Sequence, residues 1–221
     1  MNREINFFLG LQVKQVPQGI FIHQEKYTIE LLKKYAMDNG SSAKVPMAFG
    51  YKISADPSGK FEDHKTYRGI ISSLMYLTAS RPKIAFATGV CARYQADPKA
   101  SHLTAVKQIL WYLKGSKSLG LWYPAGNDFS LQAFIDADHA GCKLDRKSTS
   151  GGCQFLGECL VSWSSRKQSC VSLSTAEADS SMQSFLCSSA MTFLNLNDVS
   201  IRDHHDDFLT VSSTLKSLCV I

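Results

Sequence analysis

The spacing of apolar residues changes twice along the chain, which limits the fold to one with helices and strands in separate blocks. Residues 7–14 (FFLGLQVK) and 19–24 (GIFIHQ) are strand-like runs, and the proline and glycine after the first predict a hairpin. From Glu25 to Gly115 apolar residues recur every three or four positions, as in amphipathic helices. Strand-like runs return over residues 131–173. We therefore expect an α+β fold, with a hairpin and helices preceding a second group of strands.

Four helical segments are predicted in the middle block. The first begins at Glu25 and is stopped by Asn39 and Gly40, and a loop follows over residues 41–63. Pro82 stands where a later helix begins, and the last helix ends at Gly115. The apolar positions that define the buried faces are Tyr27, Leu31, Tyr35, Ile70, Leu74, Leu77, Ile84, Cys91, Tyr94, Leu103, Val106, Leu110 and Leu113.

A turn-forming cluster, PAGND at residues 124–128, follows a short strand at 119–123 and is interpreted as a domain boundary. The pattern beyond it predicts a β-β-β-α order. The predicted elements are strands at residues 131–138, 152–164 (with a break at 157–158) and 169–173, and a helix from 176 to about 194 that Ser174 and Thr175 cap.

The composition is that of a folded protein in a reducing compartment. Hydrophobic residues make up 44% of the chain and charged residues 19%, so it can bury a core. The formal net charge of +5 is compatible with a nucleic-acid partner but does not require one. Seven cysteines without a C-x-x-C pair favour free thiols over zinc ligands or disulfides. Without a signal peptide or an apolar run near ~20 residues, we expect an intracellular protein, cytoplasmic or nuclear, with no membrane partner.

Two carboxylates close an apolar run in the stretch AFIDADHAG, residues 133–141. In a strand, Asp136 and Asp138 point to the same face. A solvated strand end is one interpretation of this pair. A site for a hard divalent cation is the other, because such cations prefer carboxylate oxygens.

Several longer motifs carry a family resemblance. In the second half these are DADHAG, DRKSTSG, FLG, VSW and STAEAD, and in the first half FFLGLQV, YRGIISSLMYLTASRPKIAFA and HLTAVKQILWYLKGS. Together they resemble copia-type retrotransposon Pol polyproteins, over residues 5 to 195. The first half is similar to the end of the reverse transcriptase and its connection region. The second half resembles the ribonuclease H domain.

The resemblance implies a metal-dependent chemistry for the acidic strand. Ribonuclease H cleaves the RNA strand of an RNA–DNA hybrid with two Mg²⁺ ions held by acidic side chains. The first carboxylate of that family corresponds to Asp136, and the second, a glutamate on the following helix, corresponds to Asp179. Asp179 is one methylene shorter, and a displacement of about 1 Å can cost ~10²-fold in rate. We expect Asp136 and Asp179 to form a degenerate catalytic and metal site.

The sequence departs from the family elsewhere too. The family's third carboxylate lies in a later strand, and nothing after Leu194 matches its motif. Asp206 and Asp207 follow two histidines and fit that role poorly. The Y-x-D-D motif of the polymerase is absent from this chain. Both ends look cut, and a reading-frame change or an early stop would explain the tail.

Basic residues near the acidic strand are candidates for contacts with nucleic-acid phosphates. Arg146, Lys147 and Ser148 follow the first strand, and Arg166 and Lys167 are expected at a hairpin after Trp163. Solvated basic turns are the alternative interpretation. The hydroxyls and glycines of STSGG suit either a phosphate contact or a tight turn.

These observations predict four regions and leave the activity open. The regions are residues 1–40 (a primer-grip-like hairpin and helix), 41–123 (a helical, thumb- or connection-like region), 129–196 (an incomplete ribonuclease H-like β-β-β-α domain) and 197–221 (a divergent tail). One hypothesis is a catalytically inactive retrotransposon fragment with residual binding of RNA–DNA hybrid or other nucleic acid, and with other Pol-derived chains as possible partners. The other is a Mg²⁺-dependent ribonuclease H-type endonuclease. A role adopted by the host would leave no signature in the sequence.

Overall fold

The computed structural model describes residues 6–126, 130–142, 144–174 and 176–178, and it has an α+β fold. These residues fall into two compact units. Unit 1 extends to Gly126, and unit 2 follows it from Ser130 onward. The division falls inside the turn cluster 124–128. No helix in the described part of the chain is long and apolar enough to cross a membrane.

Unit 1 contains a four-stranded antiparallel sheet. Its strands are β1 (Phe7–Phe8), β2 (Leu11–Val16), β3 (Gly19–His23) and β4 (Gly120–Pro124), in the order β1-β2-β3-β4. The predicted hairpin between β2 and β3 is confirmed.

The prediction of one continuous strand over residues 7–14 is wrong. Leu9 and Gly10 both adopt a positive φ, 49° and 78°, and the chain turns there, separating β1 from β2. Gly10 also packs against Tyr76, since a Cβ at this position would lie 1.8 Å from the Tyr76 hydroxyl.

Four helices and a short 3₁₀ turn form the rest of unit 1. They are α1 (Glu25–Lys34), α2 (His64–Leu77), the turn Pro82–Ile84, α3 (Ala85–Ala92) and α4 (Ala100–Gly115). The first helix ends earlier than predicted. Ala36 takes a left-handed conformation, and the Met37 N–H then bonds to the Leu32 carbonyl at 2.8 Å, which closes the helix end.

The helices of unit 1 surround an apolar core. On α2 the predicted face is confirmed, since Ile70, Leu74 and Leu77 are buried whereas Met75 is 50% exposed. At the centre of the core, the Tyr67 hydroxyl donates to the Cys91 carbonyl at 2.8 Å. Two stretches that the sequence assigned to different regions, 1–40 and 41–123, thus share one sheet and one core.

Unit 2 contains a three-stranded antiparallel sheet, β5 (Leu131–Ala137), β6 (Thr149–Leu156) and β7 (Cys159–Lys167). The predicted strand at 152–164 is in fact a hairpin, because Gly157 has a positive φ of 61° and reverses the chain at the expected break.

The third predicted strand, residues 169–173, is not a strand. Its backbone leaves the sheet after Gln168, and the Ser172 hydroxyl donates to the Gln168 side chain at 2.9 Å, while Leu173 is 89% exposed. The predicted helix begins after Ser174, whose hydroxyl accepts from the Glu177 N–H at 3.2 Å. Its course beyond Ala178 lies outside the described residues.

Candidate metal and nucleic-acid site

Asp136 lies one residue before the end of β5. It pairs with Gly151 of β6, which pairs with Ser165 of β7, so these three residues form one row on one face of the sheet. Gly151, the residue directly opposite Asp136, contributes no side chain beside the carboxylate. The carboxylate is partly buried, and among the described residues it has no hydrogen-bond or ion-pair partner. Asp136 is therefore available to a ligand.

Asp138 has a different environment from Asp136. Its N–H donates to the Thr149 carbonyl at 3.1 Å, and its carboxylate accepts from the Thr149 N–H. Gly141 packs directly on this carboxylate, since a Cβ there would lie 2.0 Å from Oδ2. Asp138 therefore closes the end of the sheet, and among the described residues Asp136 is the one of the pair whose carboxylate has no partner.

The sheet separates two basic residues that the sequence grouped together. Arg166 and Lys167 lie on β7 and not at a hairpin after Trp163, so that prediction is wrong. Lys167 is opposite Thr149, two residues from Ser165, and so shares the face of Asp136. Arg166 lies in the intervening row and points to the other face. A ligand bound on one face of this sheet therefore cannot contact both Arg166 and Asp136.

An ion pair fixes the turn that carries Arg146 and Lys147. The Lys167 Nζ lies 2.7 Å from the Asp145 carboxylate. The hydrogen bond to Lys167 lowers the pKa of Asp145 to about 2. Burial acts to lower the pKa of Lys167, but its bonds to Asp145 and Cys142 outweigh this and raise it. The turn thus lies on the side of the sheet to which Lys167 and Asp136 point.

Within the turn, backbone bonds set the position of the two basic residues. The Arg146 N–H donates to the Cys142 carbonyl at 2.9 Å, and the Cys142 N–H donates to the Lys147 carbonyl at 3.1 Å. Arg146 adopts a positive φ of 55° and is exposed. The turn therefore presents at least the Arg146 guanidinium to solvent near the acidic strand.

Ser148 is buried, unlike the basic residues before it. Its hydroxyl accepts from the Ala140 N–H at 3.2 Å, and its carbonyl accepts from the Gln168 N–H at 2.9 Å. The hydroxyl thus joins the turn to the strand end. A phosphate contact by Ser148 stays a prediction, and it would have to share this hydroxyl.

Gln168 has a structural role that the sequence analysis did not identify. Its Nε2 donates to the Ser150 hydroxyl at 2.7 Å and to the Ala178 carbonyl at 2.6 Å. It thereby links β6 to the first turn of the following helix. The only signal in the sequence is the place of Gln168 directly after Lys167, next to the family-like motifs.

The acidic residues of unit 2 that the structure describes provide only part of a metal site. Across the residues with described positions, no three His, Cys, Asp or Glu side chains come together as a metal site would require. Asp136 fits Mg²⁺ as a single carboxylate ligand, whereas Asp138 is already bonded to the backbone. Asp179, the second predicted ligand, and the tail acids Asp206 and Asp207 lie outside the described residues.

Comparison of its sequence with known proteins places the chain in a family. The chain is 39% identical over 178 residues to the retrovirus-related Pol polyprotein from transposon RE1 of Arabidopsis thaliana, covering 80% of this chain and 12% of that protein. The polyprotein from transposon TNT 1-94 of Nicotiana tabacum is 34% identical over 77% of this chain and 14% of its own length. An uncharacterized mitochondrial protein of Arabidopsis thaliana is 34% identical, and the match covers 79% of this chain and 72% of that protein.

The chain belongs to the copia-type Pol polyprotein family. The Pol fragment spans about an eighth of the length of these two transposon polyproteins. No protein-family model and no solved structure matches it. The predicted family membership is thus confirmed, and the mitochondrial protein is a relative of similar extent.

Proposed function

We propose that this Pol fragment binds RNA–DNA hybrids through unit 2 without cleaving them. The observation that carries the proposal is the Asp145–Lys167 ion pair, which holds the basic turn beside the face of Asp136. Arg146 and Lys147 on that turn supply sequence-independent contacts to phosphates. The β-β-β order followed by a helix start supports a ribonuclease H-like arrangement.

The lack of cleavage rests on the acidic residues. Cleavage with two metal ions requires several carboxylates around the scissile phosphate. Asp136 is available, but Asp138 is bonded to Thr149 and Gly141 packs against it. Asp179 is an aspartate where the family pattern has glutamate, and no segment after Leu194 resembles the motif of the third carboxylate.

Fluorescence anisotropy with a labelled RNA–DNA hybrid in EDTA tests the binding. Arg146→Gln together with Lys147→Gln should weaken binding and reduce the slope of log K against log salt by about 0.7–0.9 for each phosphate that the variant no longer neutralises. Arg166→Gln removes a positive charge from the opposite face of the sheet and is the matched control. If the double variant and Arg166→Gln lose the same affinity per charge removed, binding depends on net charge alone. That result would contradict the proposal that the face of Asp136 binds the hybrid.

A second function, Mg²⁺-dependent ribonuclease H activity, is favoured by the carboxylate of Asp136, which has no partner among the described residues. A labelled hybrid incubated with the protein in Mg²⁺ and in EDTA tests it. Under the first proposal, folded protein binds hybrid and leaves it intact. Mg²⁺-dependent cleavage that disappears in Asp136→Asn but persists in Asp138→Asn would establish the second function instead.

A further inference from the structure

Three buried nitrogen atoms in unit 1 have no hydrogen-bond partner among the described residues. They are His23 Nδ1, Gln24 Nε2 and Arg81 Nε. The Gln24 side chain is fully buried and Arg81 is 4% exposed. Such atoms usually bond to protein or to ordered water, because an unpaired buried polar group costs about 1–3 kcal/mol.

The three nitrogens belong to residues that are linked by chain adjacency and by one hydrogen bond. The Ser80 hydroxyl donates to Gln24 Oε1 at 2.7 Å, and Ser80 directly precedes Arg81. The positive charge of Arg81 also acts on the imidazole of His23, which directly precedes Gln24. The other nitrogens of Arg81 are accounted for, since Nη1 donates to the Ser116 carbonyl and Nη2 to the Lys117 carbonyl.

The chemistry of these groups defines the ligand. Arg81 Nε–H and the Gln24 amide nitrogen are donors only, so each requires an acceptor. His23 is neutral near pH 7 because burial lowers its pKa, and with the ring proton on Nε2 its Nδ1 is an acceptor. A ligand that accepts two bonds and donates one satisfies all three atoms. Water does this, whereas a halide ion has no proton to donate.

We infer that one internal water molecule binds between Arg81 Nε, Gln24 Nε2 and His23 Nδ1. Its three bonds match the usual number for a buried water. The water joins the end of β3 and the start of α1 to the connection between α2 and α3. Through the Nη bonds of Arg81, the same group reaches the end of α4.

A crystal structure of the full chain, grown with bromide in place of chloride, tests this inference. We expect one density peak within about 2.7–3.2 Å of all three nitrogens, without anomalous signal at the bromine edge. An anomalous peak there would show an anion site. Direct protein partners for the three nitrogens, with no density between them, would also overturn the inference.

Oxygen-17 relaxation dispersion gives a second test in solution, because it counts long-lived internal waters. The double variant His23→Phe and Gln24→Leu removes two of the three partners. It should lower the amplitude of the relaxation dispersion by the contribution of one water molecule. Ser80→Ala disturbs the same neighbourhood but keeps all three nitrogens, so its amplitude should stay unchanged. An unchanged amplitude in a folded double variant would contradict the inference, and the crystal experiment decides if that variant does not fold.

Discussion

At the scale of single residues, burial gives the cysteines very different reactivities. Cys91 is fully buried, and burial raises the pKa of its thiol to about 12, whereas Cys170 is exposed. Alkylation requires the thiolate and access to it. Unit 2 places Cys170 just after β7, in the segment that was predicted to be a strand. This segment is not a strand, and it leaves the thiol-bearing residue Cys170 exposed to solvent.

We predict that iodoacetamide at pH 8 labels Cys170 in the native protein and leaves Cys91 unlabelled. Peptide mass spectrometry after a timed reaction measures both sites in one sample. In denaturant both thiols should react at similar rates, which is the internal control. Rapid labelling of Cys91 without denaturant would show that the core of unit 1 opens readily.

His23 gives unit 1 a pH dependence with a definite sign. Burial lowers its pKa below 6.5, Glu25 opposes this, and the charges of Arg81 and Lys14 add to it. The unfolded chain therefore binds the proton more tightly than the native protein does. Stability should fall as the pH drops below about 6.5 and level off below the native pKa.

NMR titration of the His23 ring protons, together with Tm measured at several pH values, checks this prediction. In His23→Gln the loss of stability below about pH 6.5 that His23 causes should disappear. A native pKa at or above 6.5 would contradict both the sign and its cause.

At the scale of elements, the sequence predicted helices better than strand partners. The faces of α2 and α4 follow from a local 3.6-residue spacing, because these helices pack on one core. The pairing of β4 with β3 joins residues far apart in the chain, and no local pattern encodes it. The break at Leu9 coincides with a tertiary hydrogen bond, from the Tyr76 hydroxyl to the Leu9 carbonyl. The segment 169–173 instead forms a local bond, from the Ser172 hydroxyl to Gln168 four residues earlier.

In the candidate site too, some features were predictable from the local sequence and others depend on strand pairing. The position of Asp136 near a strand end was predictable from the alternation of the strand. The bond of Asp138 to Thr149 was not, and neither was the placement of Lys167 on the face of Asp136, since both depend on the register of β6. A long connection joins β5 (to Ala137) and β6 (from Thr149), so no tight turn sets the register between these two strands.

Neighbouring positions on α2 provide a direct test of its buried face. Leu74→Ala should lower the free energy of unfolding by about 2–5 kcal/mol, because the side chain is fully buried and its removal leaves a cavity. Met75→Ala on the same helix should change it by no more than about 0.5 kcal/mol. Urea denaturation followed by circular dichroism measures both. Equal effects would mean that the helix is rotated from the described orientation.

At the scale of the whole molecule, unit 1 is self-contained. Its sheet, its four helices and its buried apolar cluster all lie within residues 6–126. Such a unit has its own core and should fold without the rest of the chain. Unit 2 contributes the candidate site, so the helical apolar core and the proposed binding site are located in different units.

We predict that a chain of residues 1–126 unfolds cooperatively and does not bind the RNA–DNA hybrid above its general salt-sensitive background. Thermal unfolding by circular dichroism and the anisotropy assay measure these two properties. The matched control is the same fragment with Leu74→Ala, which should melt at a lower temperature. Non-cooperative melting of the unmodified fragment would show that unit 1 needs the residues that follow.

The pairing of β3 with β4 also fixes the order in which unit 1 is built during synthesis. The helices between these strands rest on local contacts and form early, but β3 meets its second partner only after residues 120–124 have been made. Until then one edge of β3 carries unpaired backbone groups, the kind of edge that recruits other chains. A ribosome that stalls anywhere in α4 therefore holds a nascent chain whose helices are present and whose sheet is still open.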